Sequence, residues 1–286
     1  MTESIADARP SLAVAAPAPP AQEFAFTAAD FGAVRQLIHQ RAGISLADGK
    51  QAMVYSRLSR RLRETGHRSF ASYLQWLQAA GGDEEWQEFV NCLTTNLTAF
   101  FREEHHFQAL VDDLRARQGP IRIWCSASST GEEPYSIAMT AVEALGPSAN
   151  VRIVASDIDT KVLATAQRGV YDAQARGLSG ERMARHFLRG KGANAGFIRV
   201  KPELLRMVEF RSFNLMSRGW ALGEPFDIIF CRNVMIYFDA PTQRQVLQQM
   251  HAVLKPDGLL YVGHSENFTD ARELFRLRGK TIYERV

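Results

Sequence analysis

The sequence has 286 residues, of which 46% are hydrophobic, so it is long enough to form one large domain or two smaller ones with a real core. The formal net charge of +3 is too small to indicate nucleic-acid binding from bulk charge, and any basic surface must be local. No apolar run reaches the roughly 20 residues that a membrane span needs, and the N-terminus lacks the basic start of a secretory signal. We therefore expect a soluble cytoplasmic protein with no direct membrane insertion.

The first part of the chain predicts a tail followed by helices. Residues 1–22, which include Ala-Pro-Ala-Pro-Pro at 16–20, have the composition of a disordered tail. Order begins near Phe24, and apolar residues then recur at helical spacing in four segments. Glycines at 43, 66 and 81–82 separate these segments. We therefore predict a small helical domain over residues 23–94.

A linking segment is predicted over residues 95–119. It begins with Thr-Asn-Leu-Thr-Ala-Phe-Phe-Arg at 95–102 and continues as a helix. Asn96, Thr98 and Arg102 form a polar cluster where the helical domain meets the rest of the chain, and they could face a pocket from above. The alternative is a plain connecting loop with an exposed arginine.

After Gly119, strands and helices alternate to the end of the chain. Strands are predicted at 121–125, 151–156, 206–211, 226–231 and 258–263, with a final hairpin near 273–277 and 280–285, and helices at 132–145, 159–168 and 240–254. This alternation predicts an α/β domain over residues 120–286, with a mostly parallel sheet and helices on both faces. Residues 171–206 do not fit it, because turn-rich sequence separates two short alternating runs there. We predict a small β-rich insertion at this point.

The first strand-to-helix connection bears on the kind of ligand. Ile121–Cys125 is followed by small residues and then by Glu132 and Glu133 at the start of a helix, which is the first unit of a nucleotide-type α/β fold. Gly131 stands alone in this loop, so the Gly-x-Gly-x-x-Gly pattern of dinucleotide sites is missing. Carboxylates at a helix N-terminus would repel a pyrophosphate and suit a cationic ligand. Alternatively, the two carboxylates only stabilise the helix, by roughly 0.3–1 kcal/mol, through their interaction with its dipole.

Polar residues follow the later strands at the same edge of the predicted sheet. Asp157 follows the second strand and is placed to accept two ribose hydroxyls, although a helix cap is the alternative. Asn233 and Tyr237 follow the fourth strand beside apolar residues, and Tyr237 could equally belong to the core. A ribose acceptor and acidic residues without a phosphate loop fit S-adenosylmethionine better than NAD or ATP.

The second helix carries a basic face. At about 100° per residue, Lys50, Arg57, Arg60 and Arg61 fall within an arc of about 100° beside an apolar stripe. One interpretation is a docking surface for an acidic partner, either an acidic helix or nucleic acid. The other is an ordinary solvated face.

Cysteine and histidine usage indicates neither disulfides nor a metal. Cys92, Cys125 and Cys231 are an odd number in apolar sequence, which is typical of buried free thiols in a reducing compartment. No Cys/His spacing suggests zinc. His105 and His106 are a possible ligand pair, but adjacent residues of a helix point in different directions, so we expect no metal.

Together these motifs resemble the chemotaxis-receptor glutamate methyltransferases, the CheR family. The matching segments are the one at 95–103, Ser-Thr-Gly-Glu-Glu-Pro-Tyr-Ser at 129–136, Ser-Asp-Ile-Asp at 156–159, Cys-Arg-Asn-Val-Met-Ile-Tyr-Phe at 231–238 and Gly-His-Ser-Glu at 263–266. The resemblance covers roughly residues 25 to 286. It implies a class I, Rossmann-like domain that transfers a methyl group from S-adenosylmethionine to glutamate side chains on the cytoplasmic helices of chemoreceptors, with S-adenosylhomocysteine as the other product.

The resemblance also implies roles for individual residues. Cofactor contacts are implied for Asn96, Thr98, Arg102, Glu133, Asp157, Asn214, Leu215, Asn233 and Val234. Arg102 and Tyr237 would lie nearest the transferred methyl, as the catalytic residues. The basic face of the second helix, Lys50, Arg57, Arg60 and Arg61, would meet the acidic receptor.

The insertion at 171–206 looks like the family's β-subdomain, which in some members holds a short C-terminal peptide of the receptor as an added edge strand. The residues that match the longer, peptide-holding form are Arg189, Gly190, Gly192, Gly196 and Arg199. Such a tether would raise the local enzyme concentration to ~mM for a short flexible linker. The resemblance thus implies a cytoplasmic enzyme recruited to chemoreceptor arrays, and we expect a monomer.

The implied chemistry needs no general base, because a glutamate carboxylate with a pKa near ~4.3 is already a nucleophile at neutral pH. Positioning alone can supply roughly 7–11 kcal/mol. Two other functions stay open from the sequence: methyl transfer from S-adenosylmethionine to RNA or a small molecule, and a non-catalytic module that binds cofactor and receptor. The sequence has no separate RNA-binding motif, so we expect no nucleic-acid partner.

Overall fold

The computed structural model describes residues 23–286, so the predicted tail at 1–22 lies outside the described residues. Between residues 28 and 93 the chain folds into four helices that share one apolar core. They are α1 (Ala28–Ala42), α2 (Gln51–Thr65), α3 (Phe70–Ala80) and α4 (Asp83–Leu93). A 3₁₀ turn, Asp48–Lys50, leads into α2. We call these four helices the helical bundle.

Local sequence signals set the ends of the first helices. Thr27 and Asp30 form a reciprocal capping box, in which the Asp30 N–H donates to the Thr27 hydroxyl at 3.1 Å and the Thr27 N–H donates to the Asp30 carboxylate at 2.9 Å. Gly43 and Gly66 end α1 and α2 in the left-handed conformation, at φ values of 72° and 75°, which favour glycine. The inward stripe of α2, with Leu58 fully buried, packs into the core of the bundle.

Helix α5 (His105–Arg115) leads from the bundle into the α/β part of the chain. The helices that follow are α6 (Glu132–Leu145), α7 (Thr160–Arg168), α8 (Gly180–His186), α9 (Pro202–Leu205) and α10 (Ala240–Val253). The strands are β1 (Ile121–Cys125), β2 (Val151–Asp157), β3 (Val170–Asp172), β4 (Phe187–Arg189), β5 (Phe197–Val200), β6 (Val208–Ser212), β7 (Phe226–Cys231), β8 (Leu254–Val262), β9 (Phe275–Gly279) and β10 (Ile282–Arg285).

Seven strands of the described chain form one sheet in the order β6-β2-β1-β7-β8-β10-β9. The pairs from β6 to β8 are parallel, and β10 pairs antiparallel with β8 and β9. Strand β8 begins at Leu254 rather than at 258, because Leu254 already pairs with Phe226. The strand order reverses direction between β1 and β7, so their carboxyl ends flank the crevice in which doubly wound sheets bind ligands. This topology confirms the predicted α/β fold.

The segment between residues 170 and 200 contains a small antiparallel sheet in the order β3-β5-β4. It packs on the linking segment, where the Phe100 ring lies 4.9 Å from the Tyr171 ring and 5.7 Å from the Phe187 ring. Gly177 has a φ of 87°, and a Cβ at this position would overlap the Phe100 carbonyl. The small sheet therefore holds the linking segment close to the main sheet.

The bundle is fastened to the turns that follow β2 and β7. Thr94 Oγ1 donates to Asp159 Oδ2 at 2.7 Å after β2. After β7, the Ser45 N–H donates to the Tyr237 carbonyl at 2.7 Å. The bundle thus covers the crevice at the carboxyl ends of the strands.

The three cysteines form no disulfide in residues 23–286, and Cys125 and Cys231 are buried, while Cys92 is half-buried. Cys125 agrees with the prediction of a buried free thiol, and its thiol also donates to Glu133 Oε1 at 3.1 Å. Within residues 23–286, no single helix is both long enough and apolar enough to cross a membrane.

Candidate active site

A cavity of about 310 Å³ lies outside the carboxyl ends of β1, β2 and β7, with residues 42–53 of the bundle on its other side. Small-molecule sites usually measure about 300–1,000 Å³. The predicted residues that line this cavity are Lys50, Asn96, Thr98, Arg102, Glu133, Asp157, Asn214, Leu215, Asn233, Val234 and Tyr237. The fold therefore brings most of the predicted site residues to one place.

The loop after β1 is held by contacts rather than by several glycines. Gly131 begins α6 at a φ of 100°, and a side chain there would come within 2.7 Å of the Tyr171 hydroxyl. Ser129 also has a positive φ, 47°, and its N–H donates to Asp157 Oδ2 at 2.8 Å. The last residue of β2 thus fixes the turn that follows β1.

Asp157 is 8% exposed and lines the cavity. Its Oδ2 accepts from the Ser129 N–H at 2.8 Å and its Oδ1 from the Asp159 N–H at 2.9 Å. A carboxylate has about four lone-pair positions, so each oxygen keeps one for a hydroxyl group. Burial raises the pKa of the Asp157 carboxyl to about 6. Asp159, not Asp157, caps α7. The residues present therefore fit the ribose of S-adenosylmethionine.

Of the two carboxylates predicted to favour a cationic ligand, one lines the cavity and the other does not. Glu132 does not line the cavity, and its Oε2 accepts from Thr130 Oγ1 at 2.6 Å. Glu133 lines it, but Arg232 Nη1 donates to Glu133 Oε2 at 2.7 Å and neutralises it. The charged residues of the lining, in the described part of the chain, are Lys50, Arg102, Glu133, Asp157 and Arg232. The fit to the cofactor therefore rests on the cavity and the diol acceptor, not on an acidic pocket.

Arg232 is a site residue that sequence reasoning missed. Its side chain is 1% exposed directly after β7, and it donates to Glu133 and to the Arg102 carbonyl. Glu103 Oε2 lies 3.3 Å from Arg232 Nη2. The available signal was an arginine placed immediately after a continuous apolar strand, since a charge buried there must be paired.

Arg102 lies on a loop with a constrained backbone. Its neighbours Phe101 and Glu103 have positive φ values of 51° and 58°. Such values cost free energy in non-glycine residues and persist where surrounding contacts hold them. Arg102 Nη1 donates to the Leu97 carbonyl at 2.8 Å, which directs the half-buried guanidinium along the cavity wall.

Asn96 and Asn214 already use their side-chain amides inside the protein. Asn96 Nδ2 donates to Asp159 Oδ2 at 2.8 Å, and Asn214 Nδ2 donates to the Arg41 carbonyl at 2.8 Å. The second bond joins the α/β part to α1 of the bundle. Both residues therefore build the cavity walls, and their contact with a cofactor stays a prediction.

Fewer basic side chains of α2 are free at the surface than the helical spacing indicated. Arg61 is 18% exposed and forms an ion pair with the buried Glu85. Arg57 donates to the backbone carbonyls of Cys92 and Thr94, so it holds the end of α4. Arg60 is exposed and pairs with Glu64 at 2.9 Å. Glu64 lies four residues after Arg60 on the same helix, whereas the partners of Arg57 and Arg61 lie at or near α4, so spacing along α2 cannot show them.

The residues predicted to hold a receptor peptide lie in the small sheet, away from the cavity. Arg189 ends β4 and Arg199 lies within β5. Gly192 and Gly196 have φ values of 57° and 91°, and a Cβ at Gly190 would overlap the Asn194 carbonyl. These glycines shape the connection between β4 and β5, and peptide binding stays a prediction.

The structure brings together two histidines that we expected to point apart. The His105 and His106 ring centroids are 4.2 Å apart, and with Glu103 they offer ligand atoms within 4.8 Å of one another. Arg232 lies 3.3 Å from the Glu103 carboxylate, and its charge opposes a second cation there. Burial lowers the pKa of His106 to about 4, so this ring is neutral at pH 7. The expectation of no metal stays a prediction.

Comparisons with known proteins identify the class to which this fold and site belong. A model described as the S-adenosylmethionine (SAM) binding domain of CheR methyltransferases matches residues 96–283, and one described as their all-alpha domain matches residues 29–94. The class is that of the S-adenosylmethionine-dependent methyltransferases.

Relatives with known names are similar over nearly the whole chain. The chain is 52% identical to the chemotaxis protein methyltransferase of Salmonella typhimurium over 92% of both proteins. It is 50% identical to that of Escherichia coli, again over 92% of both, and 53% identical to chemotaxis protein methyltransferase 2 of Pseudomonas aeruginosa over 92% of this chain and 95% of the other. The chain belongs to the CheR methyltransferase family, and its activity is S-adenosylmethionine-dependent methylation in chemotaxis.

We expect the affinity for S-adenosylhomocysteine to fall as the pH is lowered through about 6, the pKa to which burial raises Asp157. The carboxylate accepts ribose hydroxyls, and protonation removes an acceptor, so binding weakens on the acid side. Titration calorimetry between about pH 5 and about pH 8 measures the effect. Asp157→Asn should bind more weakly throughout and lose this slope. An affinity of the unmodified protein that stays flat through this range would contradict the assigned role.

Proposed function

We propose that the chain esterifies glutamate side chains on the cytoplasmic helices of chemoreceptors. The observation that carries the proposal is a pair of free cations at the cavity. Arg102 and Lys50 both line it, and within residues 23–286 neither lies within ion-pair distance of a carboxylate. The neighbouring Arg232, by contrast, is held by Glu133 and Glu103. A free guanidinium beside a cofactor-sized cavity is suited to a substrate carboxylate.

The proposed reaction needs positioning rather than proton transfer. A glutamate side chain has a pKa near ~4.3, so it attacks as a carboxylate without a base. In agreement, the described lining of the cavity contains no histidine. S-adenosylmethionine, when bound, supplies an electrophilic methyl group on its sulfonium. Arg102 would orient the attacking carboxylate, and its bond to the Leu97 carbonyl moderates the ion pair, so that the carboxylate stays nucleophilic.

Receptor docking would use two exposed basic residues, Lys50 in the turn that leads into α2 and Arg60 within the helix. Lys50 and Arg60 are exposed, whereas Arg57 and Arg61 are engaged within the bundle. Positive charge beside the cavity mouth would attract an acidic receptor helix and steer its approach. We propose that this docking takes place in the cytoplasm at receptor arrays and that the enzyme acts as a monomer.

The small sheet supports the proposal of a second, peptide-binding contact. The pairing of Val170 and Leu188 with Arg199 places these side chains on the same face as Phe197. Val170, Leu188 and Phe197 are 39%, 49% and 48% exposed, so this face combines apolar surface with Arg199 and with the exposed Asp172, which pairs with Phe197. Strands β3 and β4 are edges of the sheet and offer unpaired backbone groups to an added strand.

We expect labelled methyl groups from S-adenosylmethionine to appear on a receptor cytoplasmic fragment as base-labile glutamyl esters. A fragment with its modified glutamates replaced by alanine is the matched control and should stay unlabelled. Mass spectrometry after mild base treatment checks the linkage. Label that enters RNA or a small molecule instead, or no transfer to any acceptor, would contradict the proposal.

We expect the C-terminal pentapeptide of a receptor to bind the small sheet. The substitution Arg199→Glu should weaken that binding at least about tenfold, because the new carboxylate would repel the carboxylate of the peptide. Arg185→Glu makes the same charge change on an exposed residue of α8 and should bind normally. Calorimetric titration of the purified protein measures both. No binding by the unmodified protein would leave the insertion without its proposed role.

A further inference from the structure

A buried carboxylate lies directly behind the turn that follows β7. Glu266 is 4% exposed, and its oxygens accept backbone N–H groups rather than a cation. Oε1 accepts from Val234 at 3.0 Å and from Met235 at 2.8 Å. Oε2 accepts from Asn233 at 2.9 Å and from Gly263 at 2.6 Å. Burial raises the pKa of Glu266, and these four amide groups oppose that rise by stabilising the ionised form.

These bonds fix a backbone shape that the turn would not adopt by itself. Asn233 has a φ of 57°, in the left-handed region that costs free energy for a side-chain-bearing residue. The N–H groups of residues 233, 234 and 235 point to one carboxylate, and a 3₁₀ turn, Met235–Tyr237, begins there. A single side chain thus sets the direction in which the next residues leave β7.

The residues on this turn face the cavity, whereas Glu266 does not. Asn233, Val234 and Tyr237 line the cavity, and the Asn233 side chain approaches Glu103 Oε1 at 3.4 Å. The Tyr237 carbonyl accepts the N–H of Ser45 at 2.7 Å, so the same turn also seats the helical bundle. A change at Glu266 would therefore move cavity residues without removing any group that touches the ligand.

We propose that Glu266 is a positioning residue for methyl transfer, acting through the turn at 233–237. Its carboxylate is required because it presents acceptors to all four N–H groups. A glutamine would turn its own NH₂ group toward two of those N–H donors and leave them unsatisfied. The turnover assay for this role rests on the proposed receptor methylation. The effect of Glu266 on the backbone of the turn does not depend on which substrate is methylated.

Gly263 offers a second way to disturb the same contact. A Cβ at this position would overlap the side-chain amide of Asn233, which lines the cavity, and come within 2.9 Å of Glu266 Oε2. Gly263→Ala therefore presses on the turn while leaving the charge of Glu266 unchanged. The two substitutions share a target but differ in chemistry.

The test compares Glu266→Gln and Gly263→Ala with Glu273→Gln, an exposed glutamate paired with Arg244 at the surface. Turnover is measured per molecule that binds S-adenosylhomocysteine, so unfolded protein does not count. We expect it to fall about 10²-fold in the first two variants, the size of effect that a displacement of about 1 Å can have, and to stay unchanged in the third. Amide hydrogen exchange should quicken at residues 233–238 and not throughout the sheet.

A purely structural role gives a different result. Lower thermal stability with unchanged turnover per binding-competent molecule, or faster exchange spread over the whole sheet, would overturn the proposal. If Glu266→Gln does not fold, Glu266→Asp is measured by the same readouts, because it keeps the charge but draws the carboxylate back from the four N–H groups. If the unmodified enzyme fails to label the receptor, the proposed function fails, and the exchange pattern still tests Glu266 independently.

Discussion

The site depends on one buried guanidinium. Arg232 joins the end of β7 to the start of α6 through Glu133 and to the linking segment through Glu103 and the Arg102 carbonyl. Breaking such a buried pair typically costs about 3–5 kcal/mol, because the remaining charges lose their compensation. Three segments that are distant in sequence therefore keep one relative position. These segments cannot shift relative to one another without leaving a buried charge unpaired, and this holds the walls of the cavity in place.

This arrangement also decides which charges are available to a ligand. Arg232 forms an ion pair with Glu133. In the described residues Arg102 donates only to a backbone carbonyl, so its guanidinium is free to bind a carboxylate. Glu266 is the counterpart on the other side of the turn, a buried anion satisfied by backbone N–H groups. Both buried charges act on backbone position rather than on protons. Methyl transfer to a ready-made nucleophile requires this kind of site, since orientation is the main contribution left to the protein.

Sequence patterns predicted the elements well and the side-chain partners poorly. Hydrophobic periodicity located β1, α6 and the position of Asp157 at the strand end, because burial imposes that periodicity directly. Glu133 and Arg61 were assigned to ligands, although Arg232 and Glu85 neutralise them from remote segments. The roles of Arg232 and Glu266 were missed, because the carboxylates that pair with Arg232 and the backbone N–H groups bound by Glu266 lie elsewhere in the chain. A partner on a distant segment leaves no local pattern, so a charge that the sequence offers to a ligand can be paired within the fold.

The central claim is that Arg102 positions the substrate carboxylate within walls that Arg232 holds in place. The most direct measurement compares receptor-methylation turnover with S-adenosylhomocysteine affinity in Arg102→Ala, with Arg276→Ala on the distant strand β9 as the matched control. The account predicts that turnover falls about 10²-fold or more, while cofactor affinity changes by less than about threefold. Loss of cofactor affinity with unchanged turnover of the bound enzyme would contradict it.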